Sequence, residues 1–336
     1  MKQNKKDIFR GKNILVTGGT GSFGKKFIRM TLDRYKAQKL IVLSRDEMKQ
    51  WEMQHEFRKY DKSGILRYFI GDVRDKDRLN LAFQEVDYVI HAAATKIVPT
   101  AEYNPFEAIK TNVLGAMNVI EASIAQKVQR VIALSTDKAC NPINLYGATK
   151  LCSDKVFVAA NAYAGAHDIR FAVVRYGNVM GSRGSIIPFF IEEAKKGELP
   201  ITDTRMTRFM ISLEQAVELV WHALNDCVGG EIYVPKIPSM NILDVAKAID
   251  PKAKIRFIGI RPGEKLHELM IGEDDARSTY EFKNHFKILP MIYDWNHCPY
   301  RIGAGKKCVE GFSYTSASNG KWMTPEELRS WIRKEK

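Results

Sequence analysis

Over the first 180 residues, short apolar runs alternate with stretches that place apolar residues on one side of a helix. The runs at 13–17, 39–44, 68–71, 88–92, 130–135 and 169–176 predict strands, and the segments at 22–35, 46–59, 76–83, 105–126 and 146–163 predict helices. Strands that are continuously apolar and separated by helices indicate a parallel sheet covered on both faces. The expectation is a doubly wound, Rossmann-like α/β fold. After Gly181 the rhythm breaks. Helices at 186–196, 212–225 and 241–249 and strands at 230–234 and 255–258 are expected to build a smaller α/β lobe over the carboxyl ends of the sheet. The reading divides the chain into 1–180 and 181–336, with some interleaving between the lobes. Residues 277–336, rich in aromatics and turn residues, yield no arrangement.

Composition changes this picture little. With 336 residues, 45% hydrophobic and 27% charged, the chain can bury a large core. No apolar run approaches the roughly 18 residues that cross a bilayer. The basic segment Met1 to Lys12 leads into a strand and not into a signal-type apolar core, so a cytoplasmic location and no membrane are expected. Cys140, Cys152, Cys227, Cys298 and Cys308 form no Cys-x-x-Cys pair, and the histidines show no ligand spacing, so neither disulfides nor a metal are expected. Cys140 and the tryptophans, Trp295 among them, read as packing residues. The net charge of +13 is spread along the chain without a clustered arm. That favours acidic small molecules drawn to a positive cleft over nucleic acid.

The chemistry begins at Thr17-Gly18-Gly19-Thr20-Gly21-Ser22-Phe23-Gly24, a turn between a strand and a helix. Gly18 permits the turn, Gly21 lets backbone approach a pyrophosphate, and Gly24 lets the helix pack against the strand. The second strand ends in Ser44-Arg45-Asp46, with Lys49 one turn on. A hydroxyl and a guanidinium suit the 2′-phosphate of NADP, whereas an acid placed first would select the ribose hydroxyls of NAD. Asp46 and Glu47 read alternatively as a helix cap and a first-turn acid. Asp72-Val73 suits the adenine edge. Ala92-Ala93-Ala94 leaves a wall of small side chains, which tight packing alone also explains.

Downstream, Ser135-Thr136-Asp137-Lys138 is followed by Tyr146-x-x-x-Lys150. On a helix, Tyr146 and Lys150 share one face. A free tyrosine has a pKa of about 10. The Lys150 ammonium and a positive nicotinamide would favour its phenolate, the base needed while hydride leaves a carbinol carbon. Asp137 and Lys138 add an acid and a base that simple oxidation does not need, which points to a multi-step reaction on a sugar-like substrate.

These motifs resemble those of the extended short-chain dehydrogenase/reductases, and within them the soluble, inverting UDP-N-acetylglucosamine 4,6-dehydratases that open pseudaminic acid biosynthesis. The resemblance covers nearly the whole chain and is weakest over 272–310. It includes Gly71-Asp72-Val73-Arg74-Asp75, His91-Ala92-Ala93-Ala94-Thr95-Lys96, Arg175-Tyr176-Gly177-Asn178-Val179, Gly181-Ser182-Arg183-Gly184-Ser185 and Arg261-Pro262-Gly263-Glu264-Lys265. It implies NADP as cofactor, UDP-N-acetylglucosamine as substrate, and a homo-oligomer, often a hexamer. It also implies roles. Tyr146 takes the C4 hydroxyl proton, Thr136 holds the C4 oxygen, Lys138 removes the C5 proton, and Asp137, its pKa raised by burial, protonates the departing C6 hydroxyl.

Lys96, Val179 and Arg183 are expected beside the cofactor. Lys96 is also expected, with Asn178, Ile186, Thr202, Arg205, Arg261 and Glu264, at the sugar nucleotide. Similar 4-epimerases carry small residues in place of Asp137 and Lys138, and retaining dTDP-glucose dehydratases carry a glutamate in place of Lys138. Two rival readings remain: a C5-epimerising dehydratase for capsule or O-antigen sugars, and a catalytically silent NADP-binding sensor.

Overall fold

The computed structural model describes residues 7–165, 167–292 and 299–335; Trp295, His297 and Cys298 lie outside the described residues. The chain runs β1 (Asn13–Thr17), α1 (Ser22–Arg34), β2 (Lys39–Ser44), α2 (Glu47–Phe57), β3 (Leu66–Ile70), α3 (Lys76–Ala82) and β4 (Tyr88–His91), each within a few residues of its predicted place. Two short helices, α4 (Val98–Tyr103) and α5 (Pro105–Ile109), lead through a π turn at Lys110–Leu114 into α6 (Gly115–Ala125). Then come β5 (Arg130–Thr136), a 3-10 turn at Asp137–Ala139, α7 (Leu145–Ala159) and β6 (Arg170–Tyr176).

These six strands are parallel in the order β3-β2-β1-β4-β5-β6. Strand order reverses between β1 and β4, and the carboxyl ends of a doubly wound sheet leave a ligand crevice there. One predicted element differs. The single helix expected at 105–126 is interrupted by the π turn, because Asn112 points inward. Its Oδ1 accepts from the Thr95 N–H at 2.8 Å, and its Nδ2 donates to the Thr95 carbonyl at 2.9 Å and to Thr149 Oγ1 at 3.0 Å. A widened turn accommodates such a side chain without ending the helix.

The second half runs β7 (Asn178–Val179), α8 (Ile186–Ala194), β8 (Glu198–Ile201), β9 (Thr207–Ile211), α9 (Leu213–Asp226), β10 (Ile232–Pro235), β11 (Ser239–Asn241), α10 (Ile242–Ile249) and β12 (Lys254–Phe257). It continues with β13 (Leu269–Ile271), β14 (Thr279–Glu281), β15 (His285–Ile288), α11 (Pro299–Ile302), β16 (Lys306–Lys307), β17 (Tyr314–Thr315) and α12 (Pro325–Glu335). Here the expected lobe boundary is corrected. β10 lies parallel beside β6, and β15, β14 and β16 extend the same sheet antiparallel to ten strands.

α9 packs on α1, with the Trp221 ring 6.4 Å from Phe27 and 4.9 Å from Tyr35. Val217, Val220, Leu224 and Val234 therefore belong to the main core. A local apolar stripe fixes a helix but not the core it will cover, so periodicity alone misassigned α9 and β10. The smaller lobe has its own core of Met180, Phe190, Leu199, Met206, Val245 and Leu328, with α12 packed against α10. β7 pairs with β9 and so fastens this lobe to the carboxyl end of β6.

Candidate active site

β5 ends at Thr136, and the chain turns immediately, with Thr136 Oγ1 accepting from the Lys138 N–H at 3.3 Å. Asp137 is fully buried. Its Oδ1 accepts from Thr136 Oγ1 at 3.0 Å and from Lys138 Nζ at 3.0 Å. The same ammonium donates to Glu268 Oε1 at 3.1 Å, and Arg208 Nε stands 3.6 Å from that oxygen. Burial works against the Lys138 ammonium, but the two carboxylates outweigh it and hold its pKa above the ordinary lysine value. Burial, helped by the Glu268 charge and opposed by Lys138, pushes Asp137 up. At Glu268 burial also acts upward, yet Lys138 and Arg208 prevail and hold it down.

α7 brings in Tyr146 and Lys150. Asn144 caps the helix, its Oδ1 accepting from the Gly147 N–H at 2.8 Å. Burial pushes the Tyr146 phenol up to about 12, against the charge of Lys138 and the influence of the Thr136 hydroxyl. The Lys138 ammonium thus acts on the phenol, a charge the sequence did not place there. Lys150 is itself shifted down by burial, with the Asp154 carboxylate acting against the shift. Asp154, one turn after Lys150, accepts from Ser135 Oγ at 2.8 Å and from Arg175 at 3.2 Å. Arg175 also donates to the Met270 carbonyl at 2.9 Å. This buried network ties β5, α7, β6 and β13 together.

The other end of the crevice is shaped for close backbone approach. Gly18 has φ +64°, and a Cβ there would stand 2.9 Å from the Ala93 nitrogen. A Cβ on Gly24 would overlap the Gly19 carbonyl oxygen. Gly21 caps α1 without a side-chain hydrogen bond, so the helix presents its first amides to an anion. Thr20 and Ser22 are half-buried at this mouth, while Phe23 stacks on Phe27 with ring centroids 6.0 Å apart. Ala92 donates its N–H to Thr17.

Ser22, Lys96 and Arg183 meet across the crevice: the Arg183 N–H donates to Ser22 Oγ at 3.1 Å, and Lys96 Nζ donates to the Arg183 carbonyl at 2.9 Å. Val179 packs against the main core. At the end of β2, Ser44 is held by Gln50, and Asp46 caps α2 through the Lys49 N–H at 3.0 Å while pairing with Lys49 Nζ at 2.6 Å. Arg45 is exposed, 3.7 Å from Asp72, whose carboxylate also takes the Arg74 guanidinium at 2.7 Å. Val73 is buried beneath Gly115.

The residues expected at the sugar nucleotide are less closely gathered. Asn178 lies in β7, directly after the strand that carries Arg175. The loop from Arg261 to Glu264 is fastened to the start of α7, since Asn144 Nδ2 donates to the Gly263 carbonyl at 2.7 Å, and Arg261 pairs with Glu264. Ile186 opens α8. Thr202 bonds to Met206, and Arg205 closes on Asp203 at 2.7 Å, so both bond within their own turn.

Four buried side chains around this network carry no role in the sequence reading, although Arg175 lies in one of its motifs: Asp154, Arg175, Arg208 and Glu268. Glu268 lies 130 residues from Lys138, and no spacing rule links them. Asp154, four residues after Lys150 on a helix, was the one with a usable signal. Cys140 is buried and its thiol pushed up to about 11. Among the described residues no group of three or more His, Cys, Asp or Glu is placed to hold a metal, and no helix is long and apolar enough to cross a membrane.

Known proteins match this arrangement end to end. The model of a family described as polysaccharide biosynthesis protein matches residues 14–290. A UDP-N-acetylglucosamine 4,6-dehydratase (inverting) of Campylobacter jejuni is 56% identical over 328 residues, covering 96% of this chain and 97% of the relative. A UDP-glucose 4-epimerase of Rickettsia massiliae is 41% identical, covering 97% and 96%. The solved structure of Pen from Bacillus thuringiensis superposes with a TM-score of 0.87 at 38% identity, covering 97% of this chain and 99% of that one. The chain belongs to the polysaccharide biosynthesis protein family and is an extended short-chain dehydrogenase/reductase.

Proposed function

We propose that the chain is an NADP-dependent UDP-N-acetylglucosamine 4,6-dehydratase that inverts C5, yielding UDP-2-acetamido-2,6-dideoxy-β-L-arabino-hex-4-ulose. The observation that carries this reading is the Asp137–Lys138 pair, a buried carboxylate 3.0 Å from a half-buried ammonium, set beside Tyr146. Identity supports it too, at 56% to the inverting dehydratase against 41% to the epimerase. A silent cofactor sensor would have no need of an acid and a base paired in the crevice.

The crevice fits a dinucleotide. The glycine turn comes closer to Ala93 than a side chain would permit, and α1 opens on it with an uncapped end. Bound there, a nicotinamide supplies a hydride acceptor for C4 and a hydride donor for C6. NADP is favoured over NAD because the Asp46 carboxylate is engaged by the α2 amides and Lys49, leaving the exposed Arg45 guanidinium to meet a 2′-phosphate.

The chain's own residues then handle protons. Tyr146, as the phenolate that a positive nicotinamide would favour, receives the C4 hydroxyl proton, and the resulting ketone acidifies C5. Lys138 rests as an ammonium between two carboxylates, so it becomes a base only after passing a proton across its contact with Asp137. That transfer yields both groups the elimination needs, a neutral amine for the C5 proton and a carboxylic acid for the departing C6 hydroxyl. The main sheet would hold the cofactor and the smaller lobe the sugar nucleotide, with Lys96 and Asn178 toward the sugar and Arg261 and Glu264 toward its diphosphate and ribose. A cytoplasmic homo-oligomer serving pseudaminic acid synthesis completes the proposal.

The test is incubation with UDP-N-acetylglucosamine in deuterated water, without added reductant, followed by NMR. A 4-keto-6-deoxy product with deuterium at an inverted C5 is expected. An unchanged sugar would refute the function, and a C4 epimer alone would favour the epimerase.

A further inference from the structure

Glu268 stands outside every motif that points to the reaction, yet its carboxylate reaches the centre of the site. It is 2% exposed. Oε1 accepts from Lys138 Nζ at 3.1 Å, and Oε2 is buried with no hydrogen-bond partner among the described residues. Asp137 mirrors it: Oδ1 takes the same ammonium at 3.0 Å, and Oδ2 is likewise buried and unpartnered. One ammonium is thus shared by two buried carboxylates, each with an oxygen to spare.

The glutamate is held from outside the catalytic helix. Its N–H donates to Ser316 Oγ at 2.8 Å, and its carbonyl accepts from the Ser316 N–H at 2.8 Å. Stability alone does not explain the arrangement, since unpaired buried carboxylate oxygens are costly and apolar residues would fill the space as well.

We propose that Glu268 is a positioning residue for the elimination step, a fixed anion that holds the Lys138 ammonium against Asp137 and directs the shared proton to Asp137. The inference rests on the dehydratase reading above. The charged and titratable groups facing the triad are Tyr146 from α7, Arg208 from β9, and Lys265 from the segment before β13. Glu268 is held ionised by Lys138 first and then by Arg208 beside it. Asp137 faces the Glu268 charge and is fully buried, so it is the better proton acceptor.

The cycle balances. Lys138 gives a proton to Asp137, and the neutral amine then takes the C5 proton. Asp137 returns its proton to the C6 hydroxyl, which leaves as water. The ammonium and carboxylate are restored, and Glu268 is unchanged throughout.

The experiment uses full-length Glu268→Gln with UDP-N-acetylglucosamine, reading reduced nicotinamide on the enzyme, dehydrated product by NMR, and the pH profile of each. Product formation should fall on the order of 10-fold or more, with reduction of the nicotinamide retained and KM little changed. The high-pH limb should move to lower pH, because the shared proton loses an anion that retained it. Glu268→Asp, which keeps the charge, should restore much of that limb, and it carries the test if Glu268→Gln does not fold. In a Lys138→Gln background, Glu268→Gln should cost nothing further.

Wild-type turnover with an unmoved profile in Glu268→Gln overturns the inference alone, and so does a folded Glu268→Asp that loses the limb although it keeps the charge. So does loss of both steps together in folded Glu268→Gln. A wild-type enzyme that reduces nicotinamide but releases no water overturns the proposed function and this inference with it.

Discussion

Gly147 lies directly against Lys138: a Cβ added to Gly147 would overlap the Lys138 carbonyl oxygen and come within 3.0 Å of Pro142. The first turn of α7 is therefore pressed onto the turn that carries Asp137 and Lys138. This contact sets how far Tyr146 stands from Asp137 and Lys138.

Gly147→Ala should push that turn away from α7. Overpacking of this kind costs about 1–3 kcal/mol of stability. Product formation should fall on the order of 10-fold or more, while affinity for NADP stays near wild type, because the glycine turn at Gly18 is remote from the change. Steady-state kinetics alongside a cofactor titration would check this, and weakened cofactor binding would count against it.

Lys138→Ala should separate the two halves of the reaction. Removing the proposed C5 base should cut product formation by about 10²–10⁴-fold. Tyr146 remains in place, so bound nicotinamide should still become partly reduced on adding the sugar nucleotide. Single-turnover absorbance and NMR read the two steps separately. Their joint loss would contradict the division of labour between Tyr146 and Lys138.

Arg45→Ala tests cofactor choice. Losing a guanidinium contact to a 2′-phosphate should weaken NADP binding about tenfold, roughly 1.4 kcal/mol, and leave NAD binding nearly unchanged. Equal effects on both cofactors would show that Arg45 does not read the phosphate.

His91 gives a pH signature. It is buried, its Nδ1 lies 2.9 Å from Thr17 Oγ1, and burial together with the Lys150 charge depresses it to about 3. An unfolded histidine titrates near about 6.5. The folded value is the lower one, so the stabilisation is full above about 6.5 and is lost as pH falls towards about 3. Between these limits the dependence approaches about 1.4 kcal/mol per pH unit. His91→Gln, which cannot titrate, should flatten the fall in denaturant-measured stability between roughly pH 6.5 and 5. Parallel curves for the two proteins would reject His91 as the source.

Local sequence determined a good deal of this protein. Strand and helix positions through Tyr176 followed from alternating apolar runs, because burial on both faces of a parallel sheet leaves that pattern in the residues themselves. The glycine turn and the Thr136–Lys150 segment were legible for a similar reason: each needs its residue types at fixed short spacing.

Tertiary structure alone decided the rest. It placed α9 on the main core and β10 in the main sheet, widened the helix at Asn112, and brought the Lys138 charge to Tyr146. It also delivered Glu268 and Arg208 to an ammonium far away in sequence. Such contacts depend on which surfaces meet when the lobes close, and a carboxylate shows no trace in its neighbours of the charge it will face.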